Sequence, residues 1–152
     1  MKAELSALLL HVRSDLLQAL QLALQGLSVK TSQASTCSEA VRMLEGPDPP
    51  ELIFTDTQVL DGTWVDAIRL AEKAPTPVNV IVVSRSEDVH FYIEVIEAGA
   101  FDYIAPPFEA SGLAHVTYCA AGNVLRRRSA QGQAQQTGQG MLTLASPREH
   151  LA

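Results

Sequence analysis

The chain has 152 residues, 47% hydrophobic and 18% charged, with a formal net charge of -6. That is the composition of one globular domain able to bury its own core, and no apolar run is long enough to cross a bilayer. The acidic balance disfavours nucleic acid and anionic lipid as partners unless basic residues cluster, and the one dense cluster is Arg126, Arg127 and Arg128.

Met1-Lys2-Ala3-Glu4 puts an acid before a short apolar run and shows no small-residue cleavage site, so a cytoplasmic address is expected. The first apolar run, Leu8-Leu9-Leu10, is continuous rather than alternating, which predicts a strand covered on both faces. Leu16, Leu17, Leu20, Ala23, Leu24 and Leu27 then follow helical spacing, with Gly26 as a stop. Ser28 to Thr31 is mixed in polarity and suits a strand nearer a sheet edge. Thr36 with Glu39 forms a capping box for a second helix, whose Ala40, Val41 and Leu44 face inward until Gly46-Pro47 ends it.

Leu52-Ile53-Phe54 is a second continuous run and predicts a central strand. Thr63 with Asp66 is a less ideal capping pair, opening a third helix with Val65, Ile68 and Ala71 as its stripe up to Pro75. Val80-Ile81-Val82-Val83 predicts the next central strand, and Ser86 is placed to cap a fourth helix carrying Val89, Ile93 and Ile96 to Gly99. Asp102 to Ala105 predicts a fifth strand. A fifth helix starts near Glu109 and runs through Leu113, Val116, Ala120 and Val124 to the three arginines, whose charge would complement the helix C-terminus. From Ser129 onward glutamine and glycine dominate without periodicity. Residues 1–128 are therefore expected to form the domain, and 129–152 a disordered linker or tail.

Strands alternating with helices predict an α/β protein built on a parallel sheet, with ligands beyond the carboxyl ends of the strands. The residues just past those ends are His11, Val12 and Arg13, then Asp56, then Ser84, then Pro106 and Pro107. Only Asp56 is acidic. No Gly-x-Gly-x-x-Gly follows a strand and no Gly-Lys pair is present, which argues against a nucleotide enzyme. Cys37 and Cys119 show no Cys-x-x-Cys and no neighbouring histidine, so both are expected to be buried helical thiols.

From Leu5 to Arg128 this arrangement resembles the receiver domain of two-component response regulators. Leu52-Ile53-Phe54-Thr55-Asp56 resembles the strand ending in the phosphoacceptor, and Leu60-Asp61-Gly62 the turn beyond it. Val82-Val83-Ser84 resembles the strand carrying the switch hydroxyl. Gly99-Ala100-Phe101-Asp102-Tyr103 and Pro106-Pro107-Phe108 resemble the segments carrying the switch aromatic and the Lys-Pro-Phe turn. The resemblance implies a flavodoxin-like, doubly wound, five-stranded sheet of strand order 2-1-3-4-5 with five helices. It also implies a phosphoacceptor at Asp56, switch positions at Ser84 and Tyr103, and a cis peptide bond before Pro107.

Two landmarks of that family are missing. The acidic pair that holds magnesium falls on His11 and Val12, and the lysine that contacts the phosphoryl group falls on Pro106. Magnesium prefers hard oxygen ligands, so no metal or other cofactor is expected, and His11 reads as a structural histidine. A degenerate pseudo-receiver acting through protein contacts is therefore the first expectation, without enzymatic activity beyond residual autophosphorylation at Asp56. Its partners would be an output domain, a sensor kinase or a second copy, met through the fourth helix, fifth strand and fifth helix, where Phe91, Tyr92 and Tyr118 offer aromatic area. The alternative is a working phosphoacceptor, with magnesium held by Asp56 and either Asp15 or Asp61, each of which would have to reach inward from a turn.

Overall fold

The computed structural model describes residues 4–145, with side chains through residue 133. Five parallel strands form one sheet: β1 (Ser6–Leu10), β2 (Lys30–Ala34), β3 (Leu52–Thr55), β6 (Asn79–Val83) and β7 (Asp102–Ile104). A two-stranded antiparallel hairpin, β4 (Gln58–Val59) and β5 (Gly62–Thr63), follows β3. The helices are α1 (Asp15–Gly26), α2 (Cys37–Leu44), α3 (Trp64–Glu72), α4 (Val89–Ala98) and α5 (Ala110–Ala145). The sheet order β2-β1-β3-β6-β7 is the expected 2-1-3-4-5 once the hairpin is set aside.

The continuous apolar runs lie where two-sided burial demands them. Every residue of β3 and β6 is buried, because helices cover both faces. Leu9, Phe54 and Ile81 pack with Leu17, Leu20, Leu24 and Val124 under α1 and α5. Leu8, Ile53 and Val82 pack with Ala40, Leu44, Trp64, Ile68 and Val95 under α2, α3 and α4. Each fully buried Leu, Ile or Phe in these two layers stabilises by roughly 1.5–3 kcal/mol before conformational entropy is subtracted. β2 starts at Lys30, two residues later than expected, because Ser28 adopts a left-handed φ of 63° while leaving α1.

Caps set the register of the helices. Thr36 accepts from the Glu39 amide as expected. Thr63 and Asp66 make a complete capping box, so the shorter carboxylate still reaches the Thr63 amide at 2.9 Å. The N-cap of α4 is Asp88, not Ser86, and Ser86 accepts one step earlier, from the Asp88 amide. Gly99 ends α4 at φ 116°, a conformation that L side chains rarely adopt.

The last helix departs from the expected boundary at residue 128 and continues to Ala145. Alanine and glutamine are good helix formers, and no proline intervenes between Phe108 and Ser146, so the composition that suggests a linker also permits helix. Residues 146–152 of the expected tail lie outside the described residues. The arginines accordingly do not cap a helix end. Arg127 donates to Asn79 Oδ1 at 2.9 Å, while Asn79 Nδ2 donates to the Ala120 carbonyl and to Asn123 Oδ1. Arg128 donates to the Pro77 and Pro50 carbonyls and pairs with the buried Glu51 at 3.5 Å. These bonds pin α5 across the amino ends of β3 and β6, opposite the candidate site.

Candidate functional site

At the carboxyl ends of β1, β3 and β6 an open, polar cleft of about 400 Å³ is lined by Ser14, Asp15, Leu16, Asp56, Thr57, Ser84 and Arg85. Asp56 is half-buried at the end of β3. Its amide donates to the Leu10 carbonyl, fixing it against the end of β1, and its Oδ1 accepts from the Thr57 amide at 2.7 Å. Ser84 stands across the cleft at the end of β6, where its hydroxyl accepts from the Ser86 amide at 3.1 Å and shapes the loop into α4.

His11 and Val12 occupy the end of β1. His11 is buried, with Nδ1 accepting from the Ser14 amide at 3.0 Å. A backbone N–H can only donate, so the ring proton sits on Nε2, which donates to Gln33 Oε1 at 2.6 Å. Both nitrogens are thus spent on holding the β1–α1 turn against β2. Val12 is exposed and brings no polar atom.

Pro106 follows β7 and has no donor; its bond to Pro107 is cis. Tyr103 lies on β7, its hydroxyl donating to the Ser86 carbonyl and its ring standing edge-on to Phe91 and Tyr92, at centroid distances of 5.7 and 6.0 Å. It is packed against α4 rather than swung out.

The two rescue candidates part company. Asp61, at the hairpin, accepts from the Cys37 amide at 2.6 Å and from the Ser38 amide, so it caps α2 and is absent from the cleft lining. Those amide bonds, Cys37 first, hold its carboxyl below the ordinary range against the opposing effect of burial. Asp15 does line the cleft beside Asp56, because Ser14 takes the cap of α1 and leaves Asp15 on the first turn. The residue that sequence reasoning missed is Arg85, which lines the cleft; its place directly after Ser84 was the available signal.

The cysteines also differ from expectation. Cys37 is half-buried, and burial, followed by the charges of Asp61 and Asp66, pushes its thiol up to about 11. Cys119 is exposed, and His115 lies one helical turn before it, with ring nitrogens 3.9 and 4.0 Å from Sγ. The i,i+4 spacing that brings these two together was present in the sequence.

A parallel five-stranded sheet with an aspartate at the end of its central strand, a hydroxyl at the next and an aromatic on the edge strand defines a receiver-type signalling fold. Residues 12–117 match the family model of the response regulator receiver domain, and the chain belongs to that family. It is similar to the response regulator protein PilR of Pseudomonas aeruginosa, with 30% identity over 109 residues; the match covers 70% of this chain and 24% of that protein. The chain therefore spans about a quarter of that relative's length.

Among solved structures, it resembles the receiver domain of the sensor histidine kinase PA1611 from Pseudomonas aeruginosa PAO1, which carries a magnesium ion in its active site cleft. That likeness has a TM-score of 0.67 at 20% identity, over 79% of this chain and 99% of that one. A CheY-like receiver domain from Methanospirillum hungatei JF-1 aligns with a TM-score of 0.65 at 16% identity, over 82% of this chain and 98% of that one.

Proposed function

We propose that this domain is a pseudo-receiver of a two-component system, which transmits signals through protein contacts without depending on phosphoryl transfer to Asp56. The observation that carries this reading is the commitment of His11, whose two ring nitrogens are both hydrogen-bonded inside the protein where the family places a metal-binding carboxylate. Phosphoryl transfer is catalysed mainly by positioning and by neutralising charge. A lysine contact is worth about 1.5–3 kcal/mol, or roughly ten- to a hundredfold in rate, and Pro106 supplies none of it. Val12 leaves the second carboxylate position apolar.

The partner-facing surface in this reading is α4, β7 and α5, where Val89, Tyr92 and Ile93 expose apolar area on α4, whereas Tyr118 of α5 donates to the Leu27 carbonyl at the end of α1. An output domain, a sensor kinase or a second copy of the chain would meet it there, in the cytoplasm.

One observation favours a second reading, a working phosphoacceptor: Asp15 and Arg85 share the cleft with Asp56 and Ser84. Asp15 would then supply the missing acid and Arg85 part of the missing positive charge. Incubation with acetyl phosphate and magnesium, followed by intact mass, separates the two. The pseudo-receiver leaves the chain unmodified, whereas the Val12→Asp, Pro106→Lys double variant gains one phosphoryl group. Single-site phosphorylation of the unaltered chain, abolished in Asp56→Asn, would establish the second reading instead.

A further inference from the structure

The acidic residues of this chain are unevenly spread. Between Arg85 and Arg126 lie Glu87, Asp88, Glu94, Glu97, Asp102 and Glu109, with no lysine or arginine among them. That stretch forms α4, β7 and the first part of α5, and it accounts for the whole net charge of -6, since acids and bases cancel over the rest of the sequence. All but Asp102 are exposed; Asp102 is half-buried and accepts from the Tyr103 amide. Among the described residues, none of these carboxylates is held in an ion pair.

On the same surface α4 presents apolar side chains that its own packing leaves over. Phe91 and Val95 turn inward, toward Trp64 and the core layer beneath α4. Val89, Tyr92 and Ile93 are exposed, Val89 by 65%, and half-buried Ile96 continues them. Positions 89, 92, 93 and 96 follow i, i+3, i+4, i+7, so they form one stripe along the helix, the spacing by which one helix lays against another. Glu97 stands one turn from Ile93, and Glu94 lies on the same flank of the stripe. The stripe is also held in place: the Tyr92 ring is edge-on to Tyr103, whose hydroxyl donates to the Ser86 carbonyl just ahead of α4. Side chains fixed before docking lose less freedom on binding.

An apolar stripe set in an acidic field selects its partner by charge. A second copy of the chain would bring the same six acids to the contact, and nucleic acid or an anionic membrane would be repelled. We infer that the α4 face docks a positively charged amphipathic helix of a partner protein. The partner's apolar side chains pack on Val89, Tyr92, Ile93 and Ile96, and its lysines or arginines meet Glu94, Glu97 and the neighbouring acids. This inference rests on the reading of α4, β7 and α5 as the partner-facing surface, and it gives that partner a chemistry.

The test titrates the full chain into three fluorescent helical peptides of equal length and follows their anisotropy. One carries leucines at i, i+3, i+4 and i+7 flanked by lysines; the second keeps the leucines and replaces the lysines with glutamates; the third keeps the lysines and replaces the leucines with serines. The first is expected to bind about a hundredfold more tightly than the second and about tenfold more tightly than the third, and to weaken about tenfold between about 50 and about 300 mM salt. Ile93→Ser should weaken it about tenfold. Glu94→Lys with Glu97→Lys should do the same while admitting the glutamate peptide. These positions are exposed, so the variants should melt with the parent, and amide shifts on binding should centre on 89–97.

Equal affinity for the glutamate peptide or for the serine peptide, shifts centred away from α4, a dimer that competes with the peptide, or no binding at all would each overturn the inference. Intact mass of the same samples after acetyl phosphate treatment keeps the two readings apart. Binding that appears only once Asp56 carries a phosphoryl group would sink the pseudo-receiver and leave the docking face standing. An unmodified chain that binds none of the peptides would remove the docking face and leave the pseudo-receiver.

Discussion

Single side chains at the two ends of the sheet carry opposite duties. At the carboxyl end, Asp56 and Asp15 keep carboxylates near an open cleft. At the amino end, Glu51 is 1% exposed and tied to the Ser6 amide at 2.8 Å as well as to Arg128. Breaking such a pair from one side leaves the buried carboxylate less well compensated. Arg128→Ala also removes the bonds to the Pro50 and Pro77 carbonyls, and is expected to lower stability by about 2–4 kcal/mol in urea denaturation, since Arg128 keeps some solvent contact. If that variant unfolds at the same urea concentration as the parent, the pair is not a clamp. Glu51→Gln is the gentler probe, because the amide oxygen can keep the Ser6 contact.

At the level of elements, the α2 N-terminus is held by two carboxylates from different places, Glu39 from its own first turn and Asp61 from the hairpin. Both titrate below their ordinary ranges: Glu39 through the Ser35 amide and hydroxyl, Asp61 through the Cys37 and Ser38 amides. A depressed folded pKa means stability present above the unfolded value, about 4, and lost as pH falls through the folded value. Amide exchange at Cys37 and Ser38 is therefore expected to lose protection relative to the core of α3 as pH drops below about 4. Unchanged relative protection there would rule out the hairpin carboxylate as the cap.

The hairpin also governs α3. A Cβ added at Gly62 would lie 2.6 Å from the Asp66 carboxylate oxygen that closes the capping box. Gly62→Ala should displace Asp66 and cost about 1 kcal/mol by thermal melting. A second Asp66→Ala substitution should then add little, because the two act on one bond. A fully additive double variant would show that the box survives the alanine.

For the whole molecule, the proposed outlet is the α4–β7–α5 face, and its aromatic centre is built as a chain of edge-on rings from Trp64 through Phe91 to Tyr103 and Tyr92. If a second copy docks there, Ile93→Glu, an exposed position, should weaken self-association by about tenfold or more in sedimentation without altering the melting temperature. A dimer of undiminished affinity would move the interface elsewhere. The architecture behind that face was legible early. Leu52-Ile53-Phe54 and Val80 to Val83 are apolar without alternation, and two-sided burial is the one setting in which such short runs are stable, so the parallel sheet and its central strands followed from local pattern. The positions of Asp56 and Ser84 followed from strand ends by the same logic, whereas Tyr103 and the departures at Val12 and Pro106 were legible only through the resemblance to the receiver family.

What local pattern could not supply was every partner distant along the chain. Asp61 capping α2 across 23 and 24 residues, Arg128 reaching Glu51 across 77, and Gln33 taking the second nitrogen of His11 depend on which strand ends the packed layers bring together. Helix continuation past Arg128 lay beyond it too, since from Ser129 onward the sequence carries no apolar periodicity to mark a helix. Sequence by itself determined the layers, because hydrophobic burial is read residue by residue along each element. The tertiary structure alone decided which polar groups meet, because hydrogen bonds and ion pairs are set by distances in space that the order of residues does not encode.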